Sequence, residues 1–142
     1  MESVDLAEVE AGWCGRRGIL NSLAPLVTRW FRTPLTREIL GKLYLTGDRP
    51  DSDWAKWSDG TFLVSRCVVP KGRSFRAAAP IRLSAVEGLG RRVLIDGNHQ
   101  AIALWRKGGE PAPGSTIYIG ELSADFIALV QPISPIWLPV VT

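Results

Sequence analysis

A chain of 142 residues fits one domain of ordinary size and is too short for two full cores. Its 46% apolar and 22% charged residues exclude disorder of the whole chain, and no apolar run approaches the ~18 residues of a membrane-spanning helix. Lysine and arginine exceed aspartate and glutamate by 17 to 14, for a net charge of +3, a mild basic excess compatible with a polyanionic partner.

The excess is unevenly spread. MESVDLAEVE carries four acids and no base, whereas GRRG, TRWFRT, PKGRSFR, GRR and WRKGG hold the later positive charge. An anion-binding surface is therefore expected in the middle of the chain. Cys14 and Cys67 stand far apart, and with one histidine they fit no familiar zinc spacing. The acidic start lacks the basic opening of a secretory signal, so a reducing, cytoplasmic setting is expected.

Taken in chain order, residues 1–17 read as a flexible acidic N-terminus and 18–142 as one domain. A helical region spans 18–46. In ILNSLAPLVTRWF, Ile19, Leu23, Leu26, Val27 and Trp30 fall at helical spacing, with Pro25 favouring a helix start. In TPLTREILGKLYLTG, Thr33 suits a cap, Pro34 the first helical position and Gly47 the stop, predicting a helix from Thr33 to Leu45. DRPDSDWAKWSDG reads as a loop, with Trp54 and Trp57 plugging a core edge or stacking bases.

A core is expected over 60–122. TFLVSRCVV predicts a strand from Thr61 to Val69, and PKGRSFRAAA a basic connection. PIRLSAVEGLGRRVLIDG predicts a hairpin: a strand over 80–86, a turn from Glu87 to Gly90, and a strand over 91–95. NHQAIALWRK predicts a helix over 98–107, stopped by Gly108 and Gly109. STIYIGEL alternates as a strand, ADFIALV suits either helix or strand, and 123–142 ends in a proline-rich extended segment. The fold class expected is α+β, a small mixed sheet with flanking helices.

Asp96-Gly97-Asn98-His99, where a strand meets a helix, is the most informative stretch. Glycine permits a tight turn, and the first helical N–H groups then point outward without intrahelical acceptors. The helix dipole adds potential for negative charge, so a phosphate can dock there. Asp96 caps the helix, accepts from a hydroxyl, binds Mg²⁺ or acts as a base; the residues alone leave these roles open. His99, the chain's one histidine, donates to phosphate when protonated and takes a proton when neutral.

PIRLSAVEGLGRRVLIDGNHQAIALWRKG, with a hairpin opening on Pro-Ile and an Asp-Gly-x-His turn into a helix, resembles the ParB/sulfiredoxin superfamily, whose hallmark is D-G-x-H-R. The resemblance covers Pro80 to Gly108 and extends to STIYIGEL. It implies nucleotide binding by Gly97, Asn98 and His99, in a family of CTP-hydrolysing partition proteins, ATP-using sulfiredoxins and serine kinases, and plasmid-encoded proteins with ATPase and DNase activity. Asn98 stands where sulfiredoxins carry their catalytic cysteine, which argues against sulfinic acid reduction. Gln100 replaces the family arginine, and the helix usually preceding the Pro-Ile strand is missing unless Thr33–Leu45 takes its place.

If phosphates bind, their charge needs cations, for which Arg73, Arg76, Arg91 and Arg92 are candidates, with Arg66 on the adjoining strand. Asp96, ahead of Glu87, is the expected Mg²⁺ ligand. The leading expectation is an enzyme that hydrolyses ATP, CTP or DNA phosphodiesters with Asp96 and His99 as catalytic residues, by analogy in plasmid or phage conflict. The alternative is a non-catalytic binding or inhibitory protein of the same fold, meeting a protein or nucleic acid through Arg16, Arg17, Arg29 and Arg32 or through PIWLPVV.

Overall fold

The computed structural model describes residues 1–13, 17–46, 79–122 and 133–137. Cys14, Arg16, the Asp48–Gly60 loop, the strand expected over Thr61–Val69, Arg66, Cys67, Arg73, Arg76 and ADFIALV lie outside them. The described residues form an α+β structure on a mixed sheet of seven strands.

The chain opens with β1 (Glu2–Val4) and α1 (Leu6–Ala11), where the sequence suggested a flexible acidic start. Asp5 caps α1, its Oδ1 accepting from the Glu8 N–H at 3.0 Å. Next come α2 (Arg17–Leu23), a single 3₁₀ turn (Ala24–Leu26) and β2 (Val27–Pro34). The helical reading of Ile19–Phe31 thus holds only to Leu23. Pro25 sits in the 3₁₀ turn, and the β-branched and aromatic run that follows extends into the sheet, where it finds antiparallel partners on both edges.

The helix expected over Thr33–Leu45 is also shorter. Thr33 and Pro34 end β2; Thr36 is the cap, its Oγ1 accepting from the Ile39 N–H at 3.2 Å, and α3 covers Arg37–Gly41. Tyr44–Thr46 is β3. A cap residue recurs three positions after Thr33, and the extended ladder to β6 claims the first candidate.

The second half follows the expected order. β4 (Arg82–Gly88) and β5 (Arg91–Asp96) form the hairpin, α4 (Asn98–Arg106) follows directly, then β6 (Thr116–Leu122) and β7 (Ile133–Pro135). Leu89 and Gly90 alone make the hairpin turn, at φ +53° and +73°. Two positive φ values match the right-handed twist of the strands, and a leucine there costs about 1 kcal/mol relative to glycine.

The strand order is β1-β2-β6-β4-β5-β3-β7. The β6–β4 and β5–β3 pairs are parallel and the others antiparallel. Alternating side chains supply two cores. Leu83, Ala85, Leu94, Ile117 and Ile119 meet Leu40 of α3 and Ala101, Ile102 and Leu104 of α4 on one face. Trp30, Val86, Val93, Ile95 and Tyr118 meet Val9 of α1 and Leu20 and Leu23 of α2 on the other. The central strands are consequently buried on both faces and read as apolar runs.

Gly120 is opposite Trp30 in the β2–β6 ladder, and the indole lies over it. A Cβ there would stand 2.8 Å from the ring. Gly120→Ala should lower stability by about 1–3 kcal/mol through overpacking, read as a lower urea midpoint; an unchanged midpoint would show that the indole moves aside freely.

Candidate functional site

The turn from β5 into α4 is the centre of the expected site. Asp96 ends β5 opposite Ser84 of β4, is 7% exposed and is engaged within the protein. Gly97 has φ +88°, and its carbonyl accepts the first helical bond from the Ala101 N–H at 2.9 Å. A Cβ on Gly97 would collide with Leu83 Cδ2 at 2.5 Å and approach the Arg82 carbonyl oxygen at 3.5 Å. Glycine is required twice over, by backbone conformation and by the close approach of β4.

Asn98, His99 and Gln100 form the first turn of α4. Asn98 is buried and also engaged within the protein, while Gln100 is exposed. Unlike α1 and α3, α4 has a cap residue with no side chain to offer its first-turn amides, and that turn holds no acid. These features preserve the positive end of the helix dipole at the corner.

Gly97, Asn98, His99, Gln100 and Asp96 are thus brought together, whereas Arg91 and Arg92 are not. Both lie at the start of β5, roughly 17–20 Å from Gly97 along an extended strand. Arg92 Nε donates to Glu87 Oε1 at 3.0 Å, and the Arg91 guanidinium lies 5.5 Å from the centre of the Tyr44 ring. The pairing also removes Glu87 as a carboxylate for the corner. Local sequence proximity to Asp96 misled because a strand separates its two ends.

A residue without a sequence signal, Arg82, stands at the corner's end of the sheet. Its Nη2 donates to the Glu8 carbonyl at 2.7 Å and to the Tyr118 hydroxyl at 2.6 Å, and its guanidinium lies 4.4 Å from the centre of the Tyr118 ring. Its Nε is buried without a hydrogen-bond partner. Partners 74 and 36 residues away leave no local pattern to read.

Nearby on β2, Arg32 pairs with Glu2 and Glu8. The hydrogen bond to Glu2, followed by the two carboxylate charges, holds its guanidinium above the ordinary pKa against the opposing effect of burial. Arg29 reaches Glu121 at 3.5 Å and lies over the Phe31 ring. The arginines at 29 and 32 of the expected basic stripe therefore face carboxylates. An open cleft of about 550 Å³ lies beside this cluster, lined by Met1, Glu2, Arg32, Thr33, Pro34 and the Gly114–Thr116 segment. Arg32 of the expected basic stripe lines it; the residues of the Asp96–Gln100 turn do not.

The chain matches no protein-family model, no curated protein and no solved structure.

Two outcomes test this corner. Gly97→Ala should cost about 1–3 kcal/mol, from the left-handed backbone and the collision with Leu83, seen as a lower urea midpoint. Burial, then a hydrogen bond to Glu8, raises the Tyr118 pKa above its ordinary 10, against the pull of Arg82. The unfolded phenol ionises first as pH rises, so this stability is complete below pH 10 and is lost above it. Tyr118→Phe should flatten the alkaline fall in urea-unfolding free energy; parallel pH profiles would show that Tyr118 carries none of it.

Proposed function

We propose that this chain binds nucleotide phosphates at the β5–α4 turn, as a ParB/sulfiredoxin-like domain, and hydrolyses ATP, CTP or DNA phosphodiesters. The single observation that supports it is the start of α4, a nine-residue helix entered through a left-handed glycine with no acid in its first turn. Backbone N–H groups and the helix dipole converge there on a site suited to a polyanion. Gln100 is exposed and offers its amide to a phosphate oxygen.

In this reading Gly97, Asn98 and His99 present backbone N–H groups, His99 handles a proton, and Asp96 orients the attacking water. Asp96 also suits Mg²⁺, which is commonly held by one or two carboxylates together with substrate phosphates and water. Bound there, the ion would offset phosphate charge. Among the described residues, no group of three or more histidine, cysteine or acidic side chains forms a separate metal site. Asp96 would be the carboxylate ligand at this corner, and Arg73 and Arg76 remain the cationic candidates.

A second reading, nucleotide or nucleic-acid binding without hydrolysis, is favoured by one observation: Arg91 and Arg92 stand at the other end of β5. Combined with Gln100 in place of the family arginine, this leaves less positive charge to offset a transition state. Retained amides at the helix start still suffice for binding.

Calorimetric titration with ATP, CTP and a short DNA duplex in Mg²⁺, followed by phosphate-release and DNA-cleavage assays, separates the readings. Hydrolysis should fall about 100-fold or more in His99→Ala and in Asp96→Asn, with far-ultraviolet circular dichroism unchanged. Binding without turnover selects the second reading. Absence of both binding and turnover removes both, and turnover that survives both substitutions moves the chemistry to another place.

A further inference from the structure

We propose that the hairpin-tip end of the sheet is a stacking surface for single-stranded nucleic acid. This surface lies at the opposite end of β5 from Gly97 and goes beyond the nucleotide reading. Among the described residues, the exposed large apolar side chains are Met1, Leu89 and Trp137, at 75%, 67% and 61% exposure. Two of these three occur at this one end.

The register brings them there. Tyr44 of β3 is level with Val93 of β5 on one side and Pro135 of β7 on the other. Because β3 runs parallel to β5 and antiparallel to β7, the C-terminal end of β7 and the start of β5 lie at the same end of the sheet. Trp137 follows in the turn after β7, at the same end of the sheet as Arg91. The bond from the Ile136 N–H to the Leu43 carbonyl, at 2.9 Å, carries the pairing one residue past β7. Leu89 projects beyond both, at the tip of the hairpin.

The chemistry favours bases. Trp137 offers an exposed indole, and the Arg91 guanidinium is stacked over Tyr44, leaving its outer plane as a second flat, cationic face. Aromatic planes beside arginine are the usual recognition elements for unpaired bases, and the positive charge suits the phosphate chain between them. Leu89 adds an exposed apolar side chain beside these faces. It occupies a left-handed turn position, φ +53°, where asparagine or glycine would fold with less strain.

Anisotropy of a fluorescein-labelled oligothymidylate, titrated with the full chain at low salt, tests this. Binding is expected, weakening steeply as salt rises. Trp137→Ala and Arg91→Ala should each weaken it about tenfold. Leu89→Asn should weaken binding while leaving the melting temperature unchanged or higher, because asparagine tolerates the turn; a purely structural leucine would not separate these two readouts. The proposal is overturned if the oligonucleotide does not bind, or if affinity survives both Leu89→Asn and Trp137→Ala. Binding to phosphatidylserine vesicles in place of the oligonucleotide would likewise overturn it, assigning the surface to lipid. ATP and CTP binding and turnover at the turn at Gly97 are measured separately, so failure here leaves the nucleotide reading of that turn standing.

Discussion

The close approach of Leu83 to Gly97 is the contact on which the arrangement of the second half depends. A side chain at that position would collide with the Leu83 side chain, and an ordinary φ would send α4 off the sheet. With glycine there, α4 leaves at an angle that returns Ala101, Ile102 and Leu104 to the sheet. The helix spans about 13 Å, enough to bring the chain back for β6 to lie beside β4. Trp105 completes the seating: a Cβ on either Gly41 or Gly109 would stand 3.1 Å from its ring. Arg37, donating to the Gly108 carbonyl at 2.8 Å, ties α3 to the end of the same helix.

Charge organises the opposite face. The acidic N-terminal residues form an edge strand and a short helix whose Glu2 and Glu8 meet Arg32, while the Glu8 carbonyl meets Arg82. The Arg82 guanidinium is held by geometry as well as charge, since a Cβ on Gly12 would stand 2.0 Å from its Nε. Exposed ion pairs contribute little individually, but this group is linked by hydrogen bonds through Arg82 to Tyr118 in the sheet interior. The asymmetry visible in composition, acids first and bases later, thus becomes a contact between the two.

The two ends of β5 have different properties. At one, a strand turns into a helix through the left-handed Gly97, with carboxylate and amide side chains beside it. At the other, Leu89 is exposed at the hairpin tip, Arg91 lies over Tyr44, and the exposed Trp137 follows the end of β7. A single rigid strand, buried over its last four residues, keeps them apart. Phosphate binding and base stacking would accordingly act as separable properties, connected through the sheet and not through a shared pocket.

Much of this fold was legible in order along the chain. The β4–β5 hairpin, the helix at Asn98, its glycine stop and β6 all follow from local rules: alternation, turn residues, helical spacing and a left-handed glycine. Those rules act over a few residues, so the sequence alone determined them, together with the backbone character of the turn at Gly97. It misplaced the boundary between helix and strand at Leu23–Val27 and the cap at Thr36, because apolar spacing there suits either state and partners from β1 and β6 decide it. Arg91 and Arg92 were similarly assigned to the corner by nearness in sequence, although extended backbone carries them away. Only the tertiary structure brought Arg82 to Tyr118 and Glu8, and the end of β7 to the same end of the sheet as the start of β5, since those neighbours depend on strand order and register across long chain separations, which no local pattern encodes.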